Sequence, residues 1–235
     1  MAPGGLERWG HHPREAQGDD RGSSAVNLAL LTGWVREFAR VIGENAQSLT
    51  DLDAAIGDAD HGINMDRGMT AVLGALDEGA AADMSALCKQ VGMTLVKSVG
   101  GASGPLYGTF FLRMAGALGA GDNVDAADFA KALRAGVEGV VLRGRAEAGD
   151  KTMFDALAPA LDAVDAALAA GSGLATALAD ATVAAEKGRD ATESMVARKG
   201  RASYLGQRSV GHVDPGATSA AMLIAAAATA FATIG

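Results

Sequence analysis

Apolar residues recur along most of this chain in steps of three and four. Leu28, Leu31, Val35, Phe38 and Ile42 form one such series. It marks one face of a helix over about Ser24 to Leu49. Phe154, Leu157, Leu161, Val164 and Leu168 repeat the pattern in another helix. Phe129, Leu133, Val137 and Val140 do so in a third, started by Asp125. The same spacing predicts helices near 63–78, 84–98, 105–118, 174–196 and 216–233, which makes about eight in all. Gly79, Gly100-Gly101, Gly119 to Gly121, Gly144 to Gly149 and Gly171 to Gly173 punctuate them. No segment alternates convincingly as a strand. Short connections make neighbouring helices antiparallel. With no repeat and no linker after residue 24, a single all-α domain over residues 24–235 is expected.

Composition sharpens this picture. Of 235 residues, 49% are apolar but only 4% aromatic, with alanine and glycine abundant. Strands favour β-branched and aromatic residues, so closely packed helices fit better than a β-sandwich. A net charge of −8 argues against non-specific binding to nucleic acid or to an anionic membrane. Cys88 is the only cysteine, so no intrachain disulfide can form, consistent with a reducing cytoplasm. Residues 1–23 are polar, interrupted by Gly and Pro and without helical period, so a disordered extension is expected there. The stretch from Ala217 to Ile234 carries no charge and nearly reaches membrane-spanning length. It is mostly Ala, Thr and Ser, which predicts a buried central helix and no membrane anchor.

The longer breaks, 50–62, 99–104, 143–152 and 197–215, hold polar residues that packing does not require. Loops on a rigid scaffold are where function concentrates. In an antiparallel bundle alternate loops share one end, so several of these can converge. The first break holds Asp53, Asp58 and Asp60 between Gly57 and Gly62, with His61 directly after. Converging carboxylates repel unless a hard cation joins them, and Mg²⁺ takes carboxylate oxygens together with substrate phosphates. The spacing does not fit a calcium-binding EF-hand, which needs Gly where His61 stands. The second break reads Gly100-Gly101-Ala102-Ser103-Gly104-Pro105. Glycines ahead of a helix let backbone N–H groups approach an anion. It is neither a Walker loop, lacking Lys-Ser/Thr, nor a nucleophile elbow, since Pro105 takes the place of the second glycine. The third, Gly144 to Met153, contains Asp150-Lys151-Thr152 as a helix cap, and Met153 faces either the core or a flat ring. The fourth is a basic loop in an acidic protein, in which Lys199 or Arg201 can neutralise phosphate and Asp214 can cap the next helix. No Ser-His-Asp triad and no zinc spacing is evident.

Taken together, LTDLDAAIGDADHGINM, GGASGPLYG, GDKTM, KGRASYLG and HVDPG resemble, in family order and over roughly residues 24–233, the nucleotide-binding L subunit of dihydroxyacetone kinases. The resemblance implies a closed barrel of eight antiparallel amphipathic helices, with nucleotide (ADP or ATP) and Mg²⁺ at one end. It implies Asp53, Asp58 and Asp60 as Mg²⁺ ligands and His61, Asn64, Ala102 and Ser103 as phosphate-side contacts. Gly144, Met153, Arg201 and Asp214 are implied as the remaining nucleotide contacts. It further implies that a separate K subunit holds the ketose on a histidine, so that the L subunit needs no nucleophile. ADP that stays bound and is recharged by a phosphotransferase-system phosphoprotein is the expected donor arrangement. The alternatives are an ATP-consuming subunit acting on dihydroxyacetone or a tetrose, and a non-enzymatic nucleotide-sensing adaptor. A homodimer is compatible with all three. The family's GDGDHG reads Gly57-Asp58-Ala59-Asp60-His61-Gly62 here, and Ala59 is strained if that position needs a positive φ.

Overall fold

The computed structural model describes residues 25–232. The extension expected over residues 1–23 lies outside them. Nine α-helices account for most of the described residues: α1 (Leu28–Glu44), α2 (Ala46–Ile56), α3 (His61–Glu78), α4 (Met84–Ser98), α5 (Ser103–Leu118), α6 (Ala126–Gly144), α7 (Met153–Ala169), α8 (Leu174–Ala191) and α9 (Pro215–Phe231). Two 3₁₀ segments, Thr192–Ser194 and Arg201–Ser209, lie between α8 and α9. Two two-residue strands, β1 (Val26–Asn27) and β2 (Asn123–Val124), pair antiparallel. They are too short to show alternation in the sequence.

Packing closes the helices into a ring. α1 packs on α3, then each helix on its successor through α9, which returns to α1. That ring has eight members. The ninth, α2, stands outside it against α3, α9 and the segment Arg201–Ser209. The single helix expected over Ser24 to Leu49 is therefore two. Asn45 causes the break: its Nδ2 donates to Val41 O at 2.8 Å, folding the side chain back onto the last turn of α1. Asn competes in this way with the helical backbone.

Successive ring helices are antiparallel, so their connections alternate between two ends. The far end holds 79–83, 119–125, 170–173 and the β1–β2 pair. The near end, which carries the candidate site, holds 45–60, 99–102, 145–152 and 192–214. The few aromatics concentrate inside the ring. Trp34 lies 5.8–6.4 Å, centroid to centroid, from Phe110, Phe111, Phe129 and Phe231. Its indole N–H donates to Leu223 O at 2.9 Å, so its one polar atom is satisfied in a dry core. The uncharged helix α9 is buried along most of its length, as expected. No helix of the described residues is long and apolar enough to cross a membrane.

Candidate functional site

The carboxylates come from the last turn of α2 and the loop after it. Asp53 is helical rather than part of a loop, because α2 runs on to Ile56. Its side chain is buried, and Oδ2 accepts from the N–H groups of Asp60 at 2.9 Å and His61 at 3.3 Å. Those two bonds fold residues 57–60 back over the helix and bring Asp58 and Asp60 beside Asp53. One carboxylate oxygen from each of the three lies within 4.8 Å of the others. Two glycines make the turn possible. A Cβ on Gly57 would sit 2.0 Å from Asp53 Oδ1, and one on Gly62 would sit 1.9 Å from Ala46 O. Ala59, between them, adopts φ +59°. The left-handed region costs a non-glycine residue about 1–2 kcal/mol, so the strain anticipated for Ala59 is present. Three carboxylates so close form an all-oxygen donor set of the kind a hard divalent cation takes. Arg201 is the facing cation, with Nε 3.0 Å from Asp58 Oδ2 on a largely exposed side chain.

His61 begins α3 immediately behind these groups and is buried. Its Nδ1 shares a hydrogen bond with Ser103 Oγ at 3.1 Å, and its Nε2 shares one with Ser219 Oγ at 2.9 Å. Tyr107 OH reaches the same Ser219 Oγ at 2.7 Å, and Ser219 donates to Gly216 O at 3.1 Å. Every group in this chain is satisfied when Ser103 donates to Nδ1 and the His61 proton sits on Nε2. Burial holds the His61 pKa below its usual value, against the pull of Asp53 and Asp60. The imidazole is thus a neutral strut tying α3 to α5 and α9.

Opposite the carboxylates stands the start of α5. Its cap position is Ala102, which offers no side-chain acceptor, so the first amides of the helix remain open to an anion. The basic loop closes a third side. A cavity of about 150 Å³ lies between these walls, lined by the three carboxylates, His61, Ala102 and Ser103, with Lys199, Gly200, Arg201 and Asp214 across from them. A second cavity of about 210 Å³ shares His61, Ala102, Ser103 and Lys199 with the first. Leu106, Val140, Gly144, Ala146 and Met153 give its other walls an apolar face, and Tyr107, Lys151 and Thr152 complete them. The two together suit a ligand with an anionic end and a flat apolar end.

Asp214 lies at the junction of both cavities and caps α9, accepting from Ala217 N–H at 2.7 Å. Burial pushes its pKa up to about 7, although the Ala217 amide and Lys151 pull the other way. Of the residues implied by the resemblance, ten line one cavity or the other: Asp53, Asp58, Asp60, His61, Ala102, Ser103, Gly144, Met153, Arg201 and Asp214. Asn64 stands one turn further along α3, packed under Gly100, its Oδ1 accepting from Arg67 Nη2 at 2.7 Å. Sequence reasoning missed Tyr107 and Ser219, which sit mid-helix among apolar residues. It also read Lys151 only as part of a cap, whereas its side chain is almost wholly buried.

Fold and site define a class: an eight-helix ring with a carboxylate cluster, open helix amides and a cationic loop at one mouth. Residues 55–229 match the family model described as DAK2 domain, and the chain belongs to that family. It is 43% identical over 195 residues to the PEP-dependent dihydroxyacetone kinase, ADP-binding subunit DhaL, of Escherichia coli (strain K12), covering 83% of this chain and 93% of that one. It is 46% identical over 190 residues to the PEP-dependent dihydroxyacetone kinase 1, ADP-binding subunit DhaL, of Listeria innocua, covering 81% and 90%. The L-erythrulose 1-kinase of Mycolicibacterium smegmatis matches at 38% over 195 residues, 80% of this chain but 33% of the relative. Among solved structures, the dihydroxyacetone kinase of C. freundii in complex with AMP-PNP and Mg²⁺ superposes with a TM-score of 0.66 at 26% identity. That alignment covers 97% of this chain and 38% of the kinase.

Proposed function

We propose that this protein is the nucleotide-binding subunit of a dihydroxyacetone kinase. It would deliver a phosphoryl group from bound nucleotide to dihydroxyacetone held by a separate K subunit. The observation that carries this is the carboxylate trio of Asp53, Asp58 and Asp60 facing the open amides of α5 and the cationic loop across one small cavity. The three aspartates would hold Mg²⁺, which would supply positive charge to offset that of the nucleotide phosphates. The amides around Ala102 and Ser103 would receive the phosphates, with Lys199 and Arg201 closing over them. Asn64, behind Gly100, supports that loop from below. The apolar cavity between Gly144 and Met153 would take the base, with Asp214 at the junction. His61 would fix the three helix ends in register, with its Nε2 proton engaged by Ser219. Phosphoryl transfer in such sites rests on positioning and charge neutralisation. No nucleophile of this chain is required.

The preferred donor arrangement is ADP retained as a cofactor and recharged by a phosphotransferase-system phosphoprotein. Its support is that the relatives matched over nine-tenths of their length carry names specifying PEP dependence and ADP binding. The reducing cytoplasm is the compartment we assign, a reading supported by a sequence with one cysteine, the buried Cys88, and so no intrachain disulfide. Residues 24–235 would act as one unit.

Reconstitution tests the reading. The protein alone should not phosphorylate dihydroxyacetone. With a K subunit and Mg²⁺ it should, and sustained turnover should need phosphoenolpyruvate and the phosphotransferase proteins. Many turnovers on ATP would replace the donor arrangement. Robust activity without any K subunit would overturn the subunit reading itself.

A further inference from the structure

The basic loop that brings Lys199 and Arg201 over the carboxylates is a 3₁₀ excursion with a break at Gly206, where φ is +54°. Such a segment has little hydrogen bonding of its own, yet here it is anchored at both ends by one side chain. Lys151 Nζ donates to Met195 O at 3.2 Å and to Ser209 O at 2.5 Å. These two carbonyls are where the excursion leaves the body of the protein and where it returns. The backbone beside Lys151 adds a third tie: Arg198 N–H donates to Asp150 O at 3.0 Å. Within the loop, Ala197 N–H donates to Ser209 Oγ at 2.9 Å.

Two facts set Lys151 apart from an ordinary lysine. It is 1% exposed, although lysine is almost never fully buried without paired partners. It also sits at φ +61°, in the left-handed region that side chains disfavour. Residues kept in such a conformation persist where the surrounding structure over-determines them, and they cluster at ligand clamps. The conformation turns the ammonium inward, between the two strands of the excursion, instead of out to solvent.

We infer that Lys151 is a positioning residue, a clamp that closes the base of the 195–209 excursion and so presets Lys199 and Arg201 over the carboxylate cavity before any ligand arrives. The role in ligand retention rests on the nucleotide reading above, whereas the clamp itself does not. Preorganising a loop removes its ordering entropy from the binding step. The expected result is a cofactor that leaves slowly, as a retained ADP must.

The test starts without nucleotide. Lys151→Met keeps the length of the stem and removes the ammonium. Trypsin should then cut after Arg198, Lys199 and Arg201 more than roughly tenfold faster than in the parent, because charge-assisted bonds to two carbonyls are lost and cleavage follows the open population. Helicity by circular dichroism should be unchanged. Lys151→Arg, which keeps a cation near both carbonyls, should restore most of the protection, which a purely packing role would not predict. Mg·ADP release, followed with a fluorescent ADP analogue, should also be more than roughly tenfold faster in Lys151→Met. Parental cleavage combined with faster release would overturn the clamp, since Lys151 would then act on the ligand directly. Fast cleavage of Lys151→Met beside a protected parent, when neither binds nucleotide, would overturn the nucleotide reading and uphold the clamp. A measurement that needs no variant guards against a misfolded mutant. In the ligand-free parent, the amides of Ala197 and Arg198 should exchange slowly with deuterium, and free exchange there would overturn the proposal.

Discussion

The two ends of the barrel obey different rules. At the far end the connections are short, and three of the four ring helices that start there carry a side-chain cap, α8 beginning at Gly173 without one. Asp83 accepts from Ala86 N–H, Asp125 from Asp128 N–H and Asn27 from Leu30 N–H. One buried polar side chain, Ser85, lies there, bonded to Ala115 O. At the near end α7 and α9 are capped by Thr152 and Asp214, α3 takes its acceptor from Asp53 instead of from its own cap residue, and α5 begins with no side-chain cap. The three non-glycine residues with positive φ among the described residues, Ala59, Arg145 and Lys151, all lie at this end. So do buried Asp53, His61, Asp150, Lys151, Asp155 and Asp214. The far end satisfies the local rules of helix chemistry and builds the fold. The near end departs from them at the start of α5, whose first amides stay open, and at Ala59, Arg145 and Lys151, where strain is held by the rest of the ring. That division is the usual signature of a site grafted on a scaffold.

Substitutions can set the two ends against each other. The largest effect should come from the interior: Trp34→Ala removes the hub of the aromatic cluster and should cost roughly 3–5 kcal/mol in chemical denaturation. Nucleotide affinity of the molecules that remain folded should stay parental. A loss below about 1 kcal/mol would remove the interior's claim to carry stability. At the mouth the pattern should invert. Asp58→Asn or Asp60→Asn should weaken Mg·ADP binding on the order of 100-fold by calorimetry, about 2.7 kcal/mol. Thermal stability should hold or rise, because charges that repel in the free protein are relieved. Wild-type affinity in either variant would sink the metal assignment.

A third test uses pH. The Asp214 carboxyl is pushed up to about 7 in the folded protein by burial, against 3.8 for the free side chain. An acid whose folded pKa is raised is protonated in the native state when the unfolded chain has already lost its proton. Its stabilising contribution is complete below pH 4 and is lost as pH rises towards 7. Asp214→Asn, which keeps an acceptor for Ala217, should therefore gain on the parent as pH goes from 4.5 to 8. Parallel stability curves would show that Asp214 is ionised throughout. The smallest effect is expected at the strained loop. Ala59→Gly relieves the left-handed backbone but loosens the unfolded chain, for a net gain of about 0.5–1 kcal/mol. A loss of stability would mean that the alanine methyl makes contacts worth more than the strain.

Much of this architecture was legible because helices announce themselves through spacing. The apolar series along α1, α6 and α7 recur in the core as predicted. The break at Asn45 was hidden, since Ile42 and Leu49 keep the helical step across it, no Pro intervenes and Gly43 lies within α1 itself. Placing Asp53 in a loop followed from that error. In the site, the aspartates, His61 and the glycine-rich turn were visible as local clusters of unusual residues. Lys151 was not, because its partners are two carbonyls more than forty residues away, and Asp150-Lys151-Thr152 reads as a helix cap. Ser219 was masked in the same way: a serine in an alanine-rich helix gives no sign that a histidine and a tyrosine converge on it.

The pairing of β1 with β2, and the edge-to-face packing of Phe231 against Phe129, fix both extremities of the described chain to the end away from the mouth. A partner tethered directly at residue 25 or residue 232 therefore starts from the end opposite the mouth. Reach is the constraint that follows. A ring helix such as α9 has 17 residues, about 26 Å along its axis. A tethered partner meant to act at the mouth must cross that distance, which takes about eight residues of fully extended linker. Shorter tethers would hold two active pieces permanently apart, whatever their affinity for each other.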